Sequence, residues 1–519
     1  MNKFLVAIKD FSKRSSFELT SFLVAVTMFV NLSLVTINKF SIWFDEAFGA
    51  YLIKFNFFDV AKYTAYDVHP PLYYWLLKIW SMLFGNGEIA LRSMSIFFGI
   101  VAMLFIYLLV KKLFSKKAAI FSIFFVAISP ILIRYAQEAR MYTLILAIAF
   151  AATYALVIAI NSKKKTPWII YGVLVALGML THYFTALIWI THWIWRLDSI
   201  RRTTPRKKIF KTFFSKNWLI AHGVAIAIFS PWLPWLFMQT FVVQAYGFWI
   251  PPVTLDTLTN FITNSFLYKD VVDATNWLSI LVVTLIAVTI FMSIKFYKKS
   301  SFKIRTNFRL IYFMVIAPVV LLFVMSMPPM RPYFVDRYLF VSVISFSILA
   351  AISLSSSLSS RKNKIAYIIP CLLILTFTLG INNVYQIGNF NKNTQNSNNA
   401  REIVKLISEY SSLEEPIIVN NQYFFYETVF YESNQHKVYF IGSDTYQGST
   451  KMLENESAHK IKDLSQFTKD YEVVWYVGRP GSGSFDVPFS CNQLTTITLD
   501  DTATDKPAYQ AIQCRTANN

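Results

Sequence analysis

Apolar runs of about twenty residues recur along the first 385 residues of this 519-residue chain. A helix of ~20 apolar residues is what the hydrocarbon core of a bilayer requires, so this pattern predicts a polytopic α-helical membrane protein. Only 15% of the residues are charged and 55% are hydrophobic, whereas soluble domains are usually about 25% charged. The composition excludes an ordinary cytosolic enzyme, a disordered protein and a disulfide scaffold.

We place eleven membrane-spanning helices in this region, at about residues 18–38, 90–110, 118–134, 141–160, 167–182, 184–197, 217–236, 275–296, 309–327, 337–356 and 365–384. The stretch Pro71–Phe84 is also apolar, but it carries Lys78 in its middle and ends before Gly85. A helix of that length reaches roughly 21 Å, short of the ~30 Å of hydrocarbon. We therefore interpret it as a helix that lies in the membrane interface.

The basic residues support this topology. With the N-terminus inside, 28 of the 38 Lys and Arg residues before residue 385 fall on the cytoplasmic side, as the positive-inside rule requires. Most acidic residues of the same region then fall on the outer side: Asp45, Glu46, Asp59, Asp67, Glu88, Glu138, Asp256, Asp270, Asp273 and Asp336. The sequence therefore predicts a multi-pass protein of the plasma membrane whose working face is extracytoplasmic.

A polar segment, Asn389–Asn399, separates the apolar region from a tail of ordinary globular composition. The tail holds 16 acidic and 11 basic residues, and strand-like and helix-like runs alternate in it: Pro416–Val419, Gln422–Tyr431, Lys437–Ile441 and Tyr471–Gly478. We expect two domains, a transmembrane domain over residues 1–384 and a small extracytoplasmic α/β domain over residues 385–519. We expect the aromatic run that begins at Tyr423 to pack mainly in the core of the tail.

Several common signatures are missing from the sequence. It contains no GxxxxGK[ST] phosphate loop, no HExxH and no CxxC. The basic residues lie in short clusters between apolar runs, which is typical of membrane topology, so we expect no nucleic-acid partner. An extracytoplasmic enzyme that transfers a group must use a donor that is already in the membrane or across it. Cys491 and Cys514 could form a disulfide in an exported tail, but their spacing alone does not decide the pairing.

Two adjacent carboxylates, Asp45 and Glu46, follow the first span at its outer end. Beside a partly buried site they could act as general base or metal ligand, and the alternative is a polar turn that caps the next helix. Farther along, two consecutive prolines fix the chain direction and would direct His69 and Tyr73 to one place. A lone histidine in such a position is also frequently a structural residue.

The short outer loop between the third and fourth spans contains Arg134, Tyr135, Gln137, Glu138 and Arg140. Arginine side chains can bind two phosphate oxygens at once. The alternative is that these arginines pair with Glu138 or extend to lipid headgroups.

Two further outer turns carry candidate residues. His182 lies at a tight turn between two short spans, and Arg337 and Tyr338 lie at another span boundary. Short spans in pairs frequently line a site. Together these groups suit the transfer of a group from a lipid phosphate to a hydroxyl, because a carboxylate can take the acceptor proton while Arg and His neutralise the leaving phosphate.

A series of motifs in this order resembles the GT-C membrane glycosyltransferases, in the bacterial form of the branch that contains protein O-mannosyltransferases and lipid A aminoarabinose transferases. The resemblance covers roughly residues 15–385. It rests on the combination WFDEAF, HPPLYYWLLKIW, NGEIALRSMSIFFG, RYAQEARMYTL, THYFTAL, YGFWIPP and DRYLF.

The resemblance implies an inverting glycosyltransferase with a polyprenyl-phosphate-linked monosaccharide as donor and an extracytoplasmic hydroxyl as acceptor. Asp45 would be the catalytic base or would organise it, with Glu46 beside it and Glu138 as the partner acid. The residues expected to bind the donor phosphate or the substrate are His69, Tyr73, Arg134, Tyr135, Gln137, Arg140, His182, Arg337 and Tyr338. Some members of the wider superfamily need a divalent metal, but this branch generally does not, so we expect no obligatory metal or other cofactor.

Two other functions are compatible with part of the sequence. A lipid-linked sugar flippase or transporter would also have many spans, but it should carry ionisable groups near the bilayer midplane, and here they lie mostly at outer span ends. A sensor that presents the tail would leave the outer-loop cluster unexplained. The sequence leaves open which sugar is moved and whether the acceptor is a protein, a lipid or a cell-envelope glycan.

Overall fold

A computed structural model describes residues 2–246, 250–268, 276–357, 367–387, 400–412, 414–432, 436–441, 446, 448–456, 458–478, 485–501 and 506–516. Several sequence features lie outside these residues: the polar segment Asn389–Asn399, the basic cluster Arg361–Lys364, the acids Asp270 and Asp273, and residues 247–249 of the YGFWIPP motif.

The first 387 residues are helical wherever they form regular structure. The helices, in chain order, are α1 (Asn2–Leu34), α2 (Phe44–Leu52), α3 (Phe57–Tyr66), α4 (Leu72–Phe84), α5 (Glu88–Leu113), α6 (Lys116–Ala127), α7 (Pro130–Ala136), α8 (Tyr142–Ile160), α9 (Thr166–Thr181), α10 (Ala186–Thr203), α11 (Ile209–Phe213), α12 (Lys216–Phe229), α13 (Leu233–Tyr246), α14 (Leu255–Leu267), α15 (Trp277–Lys299), α16 (Phe302–Met325), α17 (Phe340–Ser357) and α18 (Ile368–Ile387). Short 3₁₀ turns occur at Tyr183–Thr185, Arg206–Lys208, Ser230–Trp232 and Asp336–Leu339.

The predicted polytopic helical fold is confirmed. Among the described residues, eight helical stretches are long and apolar enough to cross a membrane, or nine if the bent pair α6–α7 forms one span. The predicted spans at 167–182 and 184–197 correspond to α9, which is apolar but has 16 residues, and to α10, which carries Asp198, Arg201 and Arg202 near its end. The number eleven therefore stays a prediction. The stretch Leu72–Phe84 forms a 13-residue helix and is not one of the candidate spans.

Contacts divide the chain into two compact units. Unit 1 consists of Met1–Val35 and Arg92–Tyr385, and unit 2 consists of Thr36–Leu91 and Gln386–Asn519. The segment between the first two spans is thus grouped with the tail. The chain passes between the two units at three points, after residues 35, 91 and 385. The composition indicates the last of these.

The core of unit 1 centres on α17, in which almost every residue is buried. Its serines bond to the backbone one turn earlier, as Ser345 Oγ does to Val341 O at 2.7 Å, or to a neighbouring helix, as Ser353 Oγ does to Ser293 Oγ at 2.9 Å. Small residues of this kind allow helices to approach closely within a membrane. Buried side chains of α15 and α18 pack with α17 in one cluster.

Two local features position the segment that carries the candidate site. The α6–α7 pair bends by 60° just before Pro130, which starts α7 and cannot continue a helix from the preceding turn. On α18, Gly380 approaches so closely that a Cβ there would lie 2.4 Å from the Phe266 carbonyl oxygen and 2.5 Å from the Pro130 ring. Only glycine fits between these groups.

Unit 2 contains a six-stranded sheet in its C-terminal part, as the expected α/β tail requires. Its elements are α19 (Ala400–Tyr410), β1 (Ile417–Val419), α20 (Gln422–Tyr431), β2 (Val438–Ile441), β3 (Lys460–Ile461), α21 (Leu464–Phe467), β4 (Val473–Gly478), β5 (Cys491–Asp501) and β6 (Lys506–Thr516), with a 3₁₀ segment at Gly448–Asn455. The strand order is β3-β2-β1-β4-β6-β5. The first four strands are parallel, and β6 and β5 are antiparallel additions. A disulfide joins Cys491 and Cys514 across β5 and β6.

The aromatic run on α20 mainly forms core. Phe424, Phe425 and Tyr426 are buried, whereas Tyr423 is 49% exposed. Tyr426 also packs against α2, with its ring 5.2 Å from that of Tyr51. This packing explains why Thr36–Leu91 belongs to the same unit as the tail.

Candidate active site

Arg134 and Glu138 form the centre of a buried polar cluster in unit 1. Arg134 lies in the last turn of α7, and Glu138 follows in the loop before α8. Arg134 Nη2 lies 3.1 Å from Glu138 Oε2, with the two side chains 7% and 1% exposed. Arg134 Nε also donates to the hydroxyl of Tyr268 at 2.8 Å. These contacts hold the guanidinium in one orientation.

Hydrogen bonds to neighbouring helices hold the loop that carries Glu138. The Ser95 hydroxyl on α5 donates to the Glu138 carbonyl at 2.6 Å and lies 3.4 Å from the Arg140 carbonyl. Gln137 Nε2 donates to the Ser33 carbonyl on α1 at 2.9 Å. Gln137 therefore attaches the loop to α1, and Arg140, 3% exposed, is buried in the same loop.

Arg337 belongs to the same cluster. The charges of Arg337, Arg140 and Glu138 all act on the hydroxyl of Tyr142 at the start of α8, and those of Glu138 and Arg337 act on Tyr135. The rings of Tyr135 and Tyr142 are 4.7 Å apart. Charged groups gathered inside a membrane protein mark a functional site, and an excess of guanidinium groups over carboxylates suits a phosphate.

His182 and Tyr338 form an aromatic group next to Arg337. Their rings are 4.9 Å apart, and the ring of Tyr338 stacks on Phe184 at 4.3 Å. His182 Nδ1 accepts a hydrogen bond from the Phe184 amide at 3.3 Å, so His182 also caps the turn that it begins. The Arg337 guanidinium lies 6.0 Å from the centre of the Tyr338 ring.

Asp45 and Glu46 lie in the first turn of α2, in unit 2. Negative charge is favoured there by the helix dipole. The Glu46 carboxylate accepts a hydrogen bond from the Trp43 amide at 3.5 Å. Glu46 is 1% exposed, whereas Asp45 is partly exposed. The helix-capping alternative thus describes Glu46, and Asp45 is the carboxylate of the two that solvent can reach.

His69 lies just before α4 and Tyr73 lies in its first turn, and both belong to unit 2. His69 Nδ1 lies 2.9 Å from Asp67 Oδ2, so a carboxylate orients the imidazole. Tyr73 is 1% exposed, with its ring 5.3 Å from that of Tyr74. Tyr74 in turn packs on Phe48 of α2 at 5.8 Å. These contacts fix α4 against the helix that carries Asp45.

The sequence did not reveal Tyr268, the partner of Arg134. Tyr268 ends α14 in the left-handed backbone region, with φ of 52°. A non-glycine residue rarely adopts this conformation, and nothing in the sequence indicates it. The conformation turns the side chain towards α7, far away along the chain.

A second missed group lies in unit 2 around Glu88. Arg401 Nη2 donates to Glu88 Oε2 at 2.5 Å, the Tyr431 hydroxyl donates to Oε1, and the Ile42 amide donates to Oε1 at 3.1 Å. Burial and the neighbouring Glu88 raise the pKa of Tyr431 above its ordinary value, so the phenol keeps its proton. The sequence marks Glu88 as one outer acid among several, but partners 313 and 343 residues away cannot be assigned from it.

Part of the chain matches a known protein family. Residues 68–235 match the model of the dolichyl-phosphate-mannose-protein mannosyltransferases, which includes the loop with Arg134 and Glu138. A relative in Bacillus subtilis (strain 168), named "Putative mannosyltransferase YkcB", is 27% identical over 158 residues. That match spans 28% of this chain and 22% of the relative.

Solved structures match almost the whole chain. ArnT from Cupriavidus metallidurans in the apo state has a TM-score of 0.62 at 10% identity, over 95% of this chain and 98% of ArnT. The same protein bound to undecaprenyl phosphate has a TM-score of 0.61 at 11% identity, over 96% and 98%. The apo oligosaccharyltransferase of Archaeoglobus fulgidus has a TM-score of 0.50 at 14% identity, over 81% and 64%. At sequence identities of 10–14%, these matches show that the chain shares the fold of these proteins.

The family match and the fold confirm the resemblance that the sequence motifs indicate. Residues 68–235 match the protein mannosyltransferase model and the chain has the fold of ArnT, which together support a GT-C membrane glycosyltransferase of the protein mannosyltransferase and ArnT type.

Proposed function

We propose that this protein is an inverting glycosyltransferase that moves a monosaccharide from a polyprenyl-phosphate donor to a hydroxyl of an extracytoplasmic acceptor. The acceptor is a protein, a lipid or a cell-envelope glycan. The observation that carries the proposal is the buried cluster in which Glu138 pairs with Arg134 and lies, like Arg140 and Arg337, near Tyr142. A structure of ArnT, which shares the fold, contains undecaprenyl phosphate, and this supports a lipid-linked donor here.

The arginine cluster is the proposed site of the donor phosphate. Negative charge grows on the phosphate as its bond to the sugar breaks, and preorganised cations stabilise that charge most in a site that excludes water. Glu138 acts as a positioning residue, because its ion pair fixes Arg134. Tyr135 and Gln137 support the same loop. His182 and Tyr338 provide ring surfaces for the sugar or the first prenyl unit.

Asp45 is the proposed general base. Its carboxylate takes the proton of the acceptor hydroxyl while the acceptor oxygen attacks the anomeric carbon of the sugar. The attack occurs on the face of that carbon opposite the phosphate. The bond between the carbon and the phosphate oxygen breaks, and the phosphate leaves with the electron pair. The product therefore has inverted configuration. Glu46 supports the helix turn, and His69 and Tyr73 belong to the segment that packs on α2.

The proposed setting is the plasma membrane, with the reaction and the tail on the extracytoplasmic side. The observation that supports it is the distribution of Lys and Arg between the apolar segments. The partition into a catalytic part before residue 385 and a tail after it is retained as a functional proposal, although the segment with Asp45 belongs to unit 2. The proposed reaction uses no obligatory cofactor.

The test is a donor-consumption assay with purified protein in liposomes. The donors are radiolabelled polyprenyl-phosphate monosaccharides, and peptide, lipid and glycan acceptors are supplied in separate reactions. Label that appears in one acceptor class, together with free polyprenyl phosphate, supports transfer. Label that only changes leaflet with its sugar–phosphate bond intact would make the protein a flippase and refute the proposal.

A further inference from the structure

Unit 1 contains a cavity that the proposed reaction does not use. It has a volume of about 500 Å³ and lies between the ends of α5, α8 and α10 and the start of α16. These helix ends carry many of the Lys and Arg residues that the positive-inside rule assigns to the cytoplasmic side. The cavity is therefore proposed to open on the face opposite the reaction.

The charged side chains that line this cavity are all positive. They are Lys112, Arg196 and Lys303. Lys112 and Lys303 are exposed, and within the described part of the chain no ion pair joins either of them to a carboxylate. The nearby acid Asp198 is already paired, with Arg309 at 2.6 Å and Arg202 at 2.8 Å. The two lysines are thus available to an incoming anion.

Arg196 adds a fixed positive charge to the same wall. It is 8% exposed, and its Nη2 donates to the Thr212 carbonyl at 2.9 Å and to the Ser215 hydroxyl at 3.0 Å. Its guanidinium lies 4.5 Å from the ring centre of Trp218. These partners orient the side chain without neutralising its charge.

The other walls are largely apolar and well defined. Trp195 Nε1 donates to the Thr306 carbonyl at 3.0 Å, and Asn307 Nδ2 donates to the Leu113 carbonyl at 2.7 Å, so α10 and α5 are each tied to α16. The Ser199 hydroxyl faces this space with its oxygen buried and without a hydrogen-bond partner among the described residues. The cavity thus combines an apolar wall, a donor hydroxyl and three cations.

We propose that this cavity binds the phosphate headgroup of an anionic phospholipid of the cytoplasmic leaflet. Basic pockets between transmembrane helices on that side suit such headgroups. Lys112 and Lys303 approach the phosphate, Ser199 donates to one of its oxygens, and the apolar wall receives the first part of an acyl chain. The site is independent of the proposed transfer reaction.

The experiment is native mass spectrometry of the full-length protein in detergent, titrated with phosphatidylglycerol, phosphatidylcholine or inorganic phosphate. The test variant is Lys112→Gln/Lys303→Gln. The matched control, Lys164→Gln/Lys207→Gln, removes two exposed lysines that do not line the cavity. A third variant, Ser199→Leu, fills the cavity and leaves the charge unchanged.

We expect the apparent affinity for phosphatidylglycerol to fall roughly tenfold or more in the test variant, and less than about twofold in the control, since each cation near a headgroup contributes substantially to binding. Ser199→Leu should also weaken binding. Phosphatidylcholine and inorganic phosphate should bind the wild type more weakly than phosphatidylglycerol does. Equal losses in test and control variants would mean non-specific surface attraction, and phosphate binding as tight as lipid binding would mean a free-anion site; either result overturns the proposal.

Discussion

Arg134 and Glu138 face each other across 3.1 Å inside unit 1. The hydrogen bond from Arg134 to Tyr268, at 2.8 Å, fixes the other side of the same guanidinium. A buried ion pair is weak evidence of stability, because desolvating both charges offsets their attraction. We therefore interpret the pair as a device that places a cation for the donor phosphate.

The first prediction concerns this pair. Glu138→Gln should lower the melting temperature and the rate of transfer, because it leaves the Arg134 charge buried without its partner. Removing one member of a buried pair costs about 3 to 5 kcal/mol in typical cases. The double variant Arg134→Gln/Glu138→Gln should recover most of the melting temperature and none of the transfer. Thermal unfolding of Glu138→Gln, Arg134→Gln and the double variant, beside a transfer assay, measures both effects. A double variant that loses as much stability as the two single variants together would contradict this interpretation.

The second prediction separates donor binding from turnover at Arg337. Arg337→Ala should weaken donor binding by roughly tenfold or more, as expected for a lost charge-assisted contact to a phosphate. Arg331→Ala is the matched control, since Arg331 lies in the same segment but is exposed. Donor titrations of single-turnover rates distinguish the two steps. Reduced turnover with unchanged donor affinity would show that Arg337 has a different role.

The third prediction concerns metals. Transfer should proceed at an unchanged rate after the purified protein is treated with EDTA and exchanged into buffer that contains a chelator. The reason is that guanidinium groups are proposed to supply the positive charge at the leaving phosphate that a metal would otherwise supply. The control is readdition of Mg²⁺, Mn²⁺ or Ca²⁺, which should not increase the rate. Loss of activity that one of these ions restores would show that the reaction needs a metal.

The fourth prediction concerns the disulfide of the tail. Replacing both cysteines, in Cys491→Ser/Cys514→Ser, should destabilise unit 2 by about 3 kcal/mol, as expected for a cross-link that closes a loop of this size. The control is Cys371→Ser, which changes a free, exposed cysteine. Limited proteolysis of the tail over a denaturant series checks the result. Equal resistance of the double variant and the wild type would contradict the prediction.

The helical membrane fold could be predicted from the sequence because a bilayer leaves few solutions for apolar runs. The short helix at Leu72–Phe84 and the α/β character of the tail follow from local residue chemistry. The loop with Arg134 and Glu138 could be recognised for a related reason, since charged residues between apolar runs are rare and conspicuous. The break before Pro130 was not predicted, because the sequence analysis places one span over residues 118–134.

Long-range pairings could not be predicted from the sequence. The contact between Arg134 and Tyr268 depends on a left-handed tyrosine, and the Glu88–Arg401 pair joins residues 313 positions apart. For the same reason, composition did not show that Thr36–Leu91 groups with the tail. That grouping arises from side-chain packing of α2 on α20, which leaves no periodic signal in either segment.

The central claim is that Asp45 removes the acceptor proton. It is tested most directly by transfer from a radiolabelled polyprenyl-phosphate sugar in liposomes, with wild type, Asp45→Asn and Asp59→Asn compared at equal amounts of folded protein. Asp59 is the control, because it is another carboxylate of unit 2 and accepts from the Asn56 side chain at 2.7 Å. We predict that Asp45→Asn binds the donor normally but loses transfer by at least roughly a hundredfold, whereas Asp59→Asn stays active. Transfer by Asp45→Asn at the wild-type rate would contradict the account.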